Sequence, residues 1–293
     1  MPDSPNPSHS RSAVARGLVA LLRPRQWIKN GFVLAPLLFS AKFDNPQALY
    51  ASFLAALLFC LGSSATYIIN DIRDVEYDRL HAKKSRDRPI ASGAVSVRQA
   101  LALLALLYSL VALGAVFAPA VVAVIAGYAL LNLAYTFFLK HQPVIDIFTI
   151  ALGFVLRVYA GALALQVPLS SWMAITTLCL ALYLAAVKRR QELLSSGELS
   201  RSVLGKYTLP LLDRYAEMSA TGALMFYSLF VLTARPGLTV TIPFVLFGLF
   251  RYWYVVETAK NGESPTDALL SDPPLLVTVI LWIGTCASIL MTS

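Results

Sequence analysis

The chain has 293 residues and a formal net charge of +8; 57% are hydrophobic and only 14% charged, against about a quarter charged in soluble domains. That deficit, with long uncharged runs, excludes an ordinary soluble domain and defines a polytopic membrane protein, because a spanning helix needs about 20 apolar residues. The positive charges gather in a few loops beside the spans, which makes anionic substrates and membrane lipids the expected partners and excludes nucleic acid.

In chain order, residues 1–12 begin with a Pro- and Ser-rich stretch and read as a disordered tail; no apolar core there ends in a signal-peptide cleavage site. Residues 13–293 read as one polytopic transmembrane catalytic domain, all-α, with nine predicted spans. After an amphipathic lead-in, the first span covers 24–39. Pro24 suits a first helical turn, which sets Arg25 and Lys29 one turn apart at its charged end. The second span covers 47–69. The uncharged stretch 99–139 is too long for one crossing, and Pro119 divides it into the third and fourth. The remaining five fall near 144–165, 171–187, 215–233, 239–256 and 274–291. Cys60, Cys179 and Cys286 lie in separate apolar spans, without metal or redox spacing, and read as packing residues.

Basic residues fix the expected orientation. Arg73, Arg79, Lys83, Lys84, Arg86, Arg88 and Arg98 follow the second span, and Lys188, Arg189, Arg190, Arg201, Lys206 and Arg214 follow the sixth. Only Lys42 and Arg235 fall on the other side. The N-terminus and both long polar loops are therefore expected in the cytoplasm and the C-terminus outside.

The chemistry concentrates at the end of the second span. Asp71, Asp74 and Asp78 recur at i, i+3 and i+7, and Asn70 precedes Asp74 by four, so one helix would carry all four on one face. Clustered carboxylates repel unless a cation lies between them, and hard oxygens suit Mg²⁺, which takes one or two carboxylates plus substrate phosphates. The alternative is a solvated acidic helix end that balances its basic neighbours. Arg79, Lys83 and Arg88 either neutralise phosphate or anchor the loop to anionic lipid. Lys188 and Glu192 form either a plain i,i+4 pair or part of an anion site. Asp146 and Arg157, in the fifth span, each need a cavity or a partner; Arg157 reaches either a phosphate or a structural acceptor. The segment 257–272, with Asp267 and Asp272, either closes over the site or is a polar connection.

The run Asn70-Asp71-x-x-Asp74-x-x-x-Asp78-Arg79, followed by Arg88-Pro89-Ile90-Ala91-x-Gly93, resembles the first signature of the UbiA-type membrane prenyltransferase superfamily, and the similarity extends over nearly the whole chain. The resemblance implies a nine-helix bundle with a central cavity open to the cytoplasm, in which Mg²⁺ bridges a diphosphate to this loop and to a second aspartate-rich motif. Here the second motif departs from that pattern: Lys188-Arg189-x-x-Glu192 stands where most members have two aspartates. With Arg23-Pro24-Arg25-Gln26-Trp27-x-Lys29-Asn30 and Lys140-His141, this is similar to the decaprenyl-phosphate phosphoribosyltransferase branch. Members of that branch transfer 5-phosphoribose from phosphoribosyl diphosphate to a polyprenyl phosphate at the bacterial plasma membrane. The resemblance gives Asp71, Asp74 and Asp78 catalytic roles, Asn70, Asp74 and Asp78 the metal, and substrate contacts to Asn70, Arg25, Lys29, Arg79, Lys83, Arg88, Tyr135, Lys140, Arg157, Lys188, Arg189 and Glu192. Tyr135 and Lys140 match its Y-x-x-x-x-K position. Two alternatives stand beside it: a prenyltransferase acting on an isoprenyl diphosphate, and a membrane transporter. The second is weakened because the charges cluster at one face rather than near the midplane.

Overall fold

The computed structural model describes residues 11–80, 84–196, 203–258 and 265–292. Residues 1–10 lie outside them, as do Lys83 and residues 259–264. Among the described residues every regular element is helical. Helix α1 (Arg11–Leu21) leads into a 3₁₀ segment (Pro24–Leu34) and α2 (Ala35–Ser40), followed by α3 (Pro46–Arg73), α4 (Val75–Leu80) and α5 (Lys84–Asp87). Then come α6 (Val97–Gly114), α7 (Pro119–Phe137), α8 (Ile145–Ala164), α9 (Ser171–Ser196), α10 (Leu209–Ala234), α11 (Ile242–Thr258), α12 (Pro265–Ser271) and α13 (Pro273–Thr292).

The helix starts follow from local chemistry. Asn45 accepts from the Gln47 and Ala48 amides with Pro46 at the first position of α3, and Ser96 and Gln99 form a reciprocal capping box at the start of α6. Pro119 opens α7, so the predicted division of the long apolar run falls where the structure puts it.

Among the described residues, eight elements are long and apolar enough to cross a membrane: α3, α6, α7, α8, residues 171–194 of α9, α10, the stretch Pro236–Thr258 and α13. The first predicted span is not among them. It is a 3₁₀ segment running into the six-residue α2. Pro36 has no N–H to donate back along an α-helix, and Gly31 is a poor helix former. The predicted sixth span also changes, because α9 continues past residue 187 to Ser196 and carries Lys188, Arg189 and Glu192 on a helix rather than in a loop.

The core forms in two halves. Phe59, Val111, Ile125 and Tyr128 pack α3, α6 and α7 together with α8. Tyr183, Ala216, Tyr252, Val255 and Leu275 pack α9, α10, α11 and α13. Helices α8 and α9 join the halves through Ile147, Phe154, Ala181 and Ala185. Tyr135 of α7 reaches Arg189 of α9, and Lys140, in the turn after α7, reaches Asp74 just past the end of α3, so the segments after α3 and α7 lie at one end of the bundle with the end of α9.

Gly161 of α8 lets the 3₁₀ segment approach directly. A Cβ there would overlap the Val33 carbonyl oxygen, which is backbone and cannot swing aside. Gly161→Ala is therefore expected to cost about 1–3 kcal/mol through overpacking, read as a lower melting temperature in detergent. Gly248→Ala, whose new methyl meets open space, should leave the melting temperature within error.

Candidate active site

Three charge clusters occupy the end of the bundle where α3, α7 and α9 finish, and a fourth lies deeper among the helices. The first surrounds Asp71. Its Oδ1 accepts from Arg23 Nη2 at 2.5 Å and from Arg88 Nη1 at 2.8 Å, and Arg88 Nη1 also lies 2.5 Å from Asp78 Oδ2. Asp71 and Asp78 are both buried. Arg23 adopts a left-handed backbone (φ 51), which turns the chain between α1 and the 3₁₀ segment and leaves its guanidinium over the Tyr67 ring.

The second cluster faces α7. Helix α3 ends at Arg73, and Asp74 sits at the junction with α4 (φ −96, ψ 9). Helical hydrogen bonds run on through this junction, from the Asp74 amide to the Asn70 carbonyl at 2.9 Å and from the Asp78 amide to the Asp74 carbonyl at 2.8 Å, so the four polar residues keep the helical spacing read from sequence. They divide into Asp71 and Asp78, turned toward Arg23 and Arg88, and Asn70 and Asp74, turned toward α7. Lys140 Nζ lies 3.1 Å from Asp74 Oδ1, and Thr136 Oγ1 donates to Asn70 Oδ1 at 3.5 Å.

The third cluster lies within the bundle. Arg189 is 1% exposed, and its Nε donates to Asp146 Oδ2 at 2.7 Å. Its Nη1 donates to Glu192 at 2.5 Å and its Nη2 to the Tyr135 hydroxyl at 2.8 Å. Tyr207 donates to the other Asp146 oxygen at 2.6 Å and accepts the Val144 amide at 2.6 Å. Burial first, and then the bond to Asp146, pushes the Tyr207 phenol well above its usual range, so it remains a donor. Lys188 Nζ is 3.7 Å from Glu192, the i,i+4 pair expected from spacing.

Arg157 forms the fourth. It donates to Asn30 Oδ1 at 2.8 Å, the Gly153 carbonyl at 2.8 Å and the Tyr128 hydroxyl at 3.1 Å, and is ringed by Phe59, Tyr128 and Phe154. These are the structural acceptors that the sequence left open. Lys29 lies near Arg157, Arg23 and Asp267 and makes no hydrogen bond or ion pair with another described residue. Asp267 reaches it because α12 packs on the 3₁₀ segment. Asp272, in contrast, is bound by both arms of Arg251 and caps α13 through the Leu275 amide.

The remaining expected residues scatter. Arg25 and Arg79 are exposed, and Lys83 lies outside the described residues. Arg23, Asn30, Tyr128 and Tyr207 were missing from the expected set. Arg23 and Asn30 stood in the run quoted for the resemblance, whereas nothing near Tyr207 in sequence marked it.

Among the described residues no three His, Cys, Asp or Glu side chains converge on a metal position. Mg²⁺ needs less: one or two carboxylates, with phosphate and water oxygens completing its octahedron. Asn70 and the partly exposed Asp74, one turn apart, are hard oxygen donors that fit this mode. Asp78 would join only by releasing Arg88.

A bundle of membrane-length helices carrying paired carboxylates and cations at one end defines an integral-membrane helical protein suited to phosphorylated ligands. The chain belongs to the UbiA prenyltransferase family, which it matches over residues 31–271. It is 38% identical over 287 residues to the decaprenyl-phosphate phosphoribosyltransferase of Corynebacterium glutamicum, covering 92% of this chain and 85% of that protein. It is 35% identical over 291 residues to the enzyme of the same name from Mycolicibacterium smegmatis, covering 92% and 91%. The solved structure of a UbiA homolog from Archaeoglobus fulgidus bound to DMAPP and Mg²⁺ superposes with a TM-score of 0.68 at 18% identity, over 94% of this chain and 99% of that one, and shares its fold.

Removing one partner of a buried ion pair strands the other. Asp146→Asn is expected to destabilise the protein by about 3–5 kcal/mol, measured as loss of folded material in detergent. Tyr207→Phe, which leaves the Arg189–Asp146 bond in place, should cost about 1–2 kcal/mol.

Proposed function

We propose that the protein transfers 5-phosphoribose from phosphoribosyl diphosphate to a polyprenyl phosphate and releases diphosphate, at the cytoplasmic face of a bacterial plasma membrane. The observation that carries this choice among the family's reactions is the second motif. In Lys188-Arg189-x-x-Glu192 the one carboxylate is shared by two cations. A site with fewer carboxylates and more cations favours ligands with more phosphate than a single prenyl diphosphate brings: a donor with a 5-phosphate as well as a diphosphate, and a lipid phosphate acceptor. The similarity to the corynebacterial and mycobacterial phosphoribosyltransferases supports the same choice.

The paired charges suit this ligand. Arg88, Arg23 and Lys140 are held by Asp71, Asp78 and Asp74. A magnesium diphosphate presents both signs of charge, so it can exchange partners with these pairs without leaving an ion uncompensated. Asn70 and Asp74, joined by Asp78, would hold the metal, which when bound supplies stabilisation of the negative charge on the departing diphosphate. Lys140 and Arg88 would take phosphate oxygens, Lys29 would take the phosphate at the 3₁₀ segment, and Lys188 that at α9. Arg189 acts by fixing Tyr135 and Glu192 and not by direct contact. An acceptor phosphate oxygen attacks C1 of ribose; the C1–O bond to diphosphate breaks and its electron pair leaves with diphosphate. The attacking oxygen is already ionised at neutral pH, so no strong base is required, and the main task of the side chains is alignment at the interface. A prenyltransferase reading is favoured by the 31% identity over 219 residues to the 4-hydroxybenzoate octaprenyltransferase of Paracidovorax citrulli, but two cations on one carboxylate argue against it.

Membranes containing the protein should convert labelled phosphoribosyl diphosphate and polyprenyl phosphate to labelled lipid, and EDTA should stop the reaction until Mg²⁺ is restored. Turnover of a prenyl diphosphate with no labelled lipid overturns the proposal. Asp74→Ala should abolish transfer, by about 100-fold or more, with the protein still inserted. Lys188→Ala should raise the donor KM by about 3- to 30-fold; an unchanged KM would leave that residue as a surface ion pair.

A further inference from the structure

Lys42 and Arg235 are the two basic residues that sequence analysis placed on the face opposite the carboxylates. Helix α3 separates the two faces. It runs from Pro46, just after Lys42, to Arg73, a length of about 42 Å at 1.5 Å per residue. Far apart in sequence, Lys42 and Arg235 nonetheless line one cavity of about 390 Å³. Phe39, Leu169, Met173 and Phe230 supply an apolar wall.

Each cation spends only part of its donor capacity on the protein. Lys42 Nζ donates to the Leu165 carbonyl at a marginal 3.5 Å, and Arg235 Nη2 donates to the Phe39 carbonyl at 3.0 Å. An ammonium has three donors and a guanidinium five. No Asp or Glu lines the cavity, and neither cation forms an ion pair with another described residue. Two positive charges therefore share a half-enclosed, apolar-walled space at a membrane-facing end without a carboxylate to balance them.

We propose that this cavity binds the phosphate headgroup of an anionic phospholipid. The guanidinium fork matches two phosphate oxygens, and the ammonium supplies a second point charge. The phenylalanine, leucine and methionine wall matches the first methylenes of an acyl chain, which is why the occupant is a lipid and not free phosphate: inorganic phosphate would leave that wall uncovered. Basic pockets between membrane helices on the cytoplasmic side recognise anionic headgroups by this chemistry, and here the same groups stand at the opposite face. The site is separate from the carboxylate end, so it stands or falls independently of the proposed transfer reaction.

The test is native mass spectrometry of the purified full chain in detergent, with phosphatidylglycerol, phosphatidylcholine or inorganic phosphate added in turn. Wild type should retain phosphatidylglycerol in preference to phosphatidylcholine, and millimolar inorganic phosphate should not displace it. Removing each cation should weaken retention about fivefold, in Lys42→Ala, in Arg235→Gln and more strongly in the double variant. Arg235→Gln also loses the bond to Phe39, so melting temperature in a zwitterionic detergent is measured alongside. Should that variant fail to fold, Lys42→Ala alone decides, because its backbone bond is marginal. Equal retention of the two lipids, unchanged retention in Lys42→Ala, or displacement by inorganic phosphate overturns the proposal.

Discussion

An ionised side chain taken out of water has to be paired where it sits, because the desolvation cost is several kcal/mol per ion. That constraint organises one whole end of this molecule. Arg189 and Asp146 are both essentially unexposed, and further polar groups bond each nitrogen of the guanidinium and each oxygen of the carboxylate. Those further groups come from α7 (Tyr135), from later in α9 (Glu192) and from the turn before α10 (Tyr207). Satisfying one buried pair thus fixes four chain segments relative to each other. Arg157 does the same on the other side, tying α8 to the 3₁₀ segment through Asn30 and to α7 through Tyr128.

The two buried arginines have a consequence for the site. With Arg189 and Arg157 committed to protein acceptors, the cations left nearer solvent are Lys140 beside Asp74, Lys188 beside Glu192, and Arg23 and Arg88 over the buried Asp71 and Asp78. Under the proposed function, a rigid interior pair beneath exchangeable outer pairs would hold the outer groups close to their working positions before a ligand arrives. Helical spacing sends Asp71 and Asp78 (i, i+7) toward Arg88, and Asn70 and Asp74 (i, i+4) toward Thr136 and Lys140.

Close packing places these elements. Gly161 lets the 3₁₀ segment lie directly on α8, which sets Asn30 within reach of Arg157 and Lys29 beside it. Small residues at helix contacts are a general device in membranes, where apolar burial gives helices little reason to associate and close backbone approach supplies the attraction instead. The family relationship and the common fold with a solved UbiA homolog are consistent with so demanding a geometry being inherited and not assembled anew.

The sequence by itself determined the membrane class, eight of the spans, the division at Pro119, the clustering of cations at one end and the family, because hydropathy, proline positions and a spaced carboxylate motif are all local properties of the chain. It could not give the close approach of the first segment to α8, since that depends on Gly161 more than a hundred residues away. It placed four polar residues at helical spacing but could not say that Arg88 would take Asp71 and Asp78 while Thr136 and Lys140 take Asn70 and Asp74. It recognised that Asp146 and Arg157 needed partners but could not name Arg189, Tyr207, Asn30 or Tyr128. Which charges pair is decided by which helices touch, and periodicity carries no information about a contact between helices.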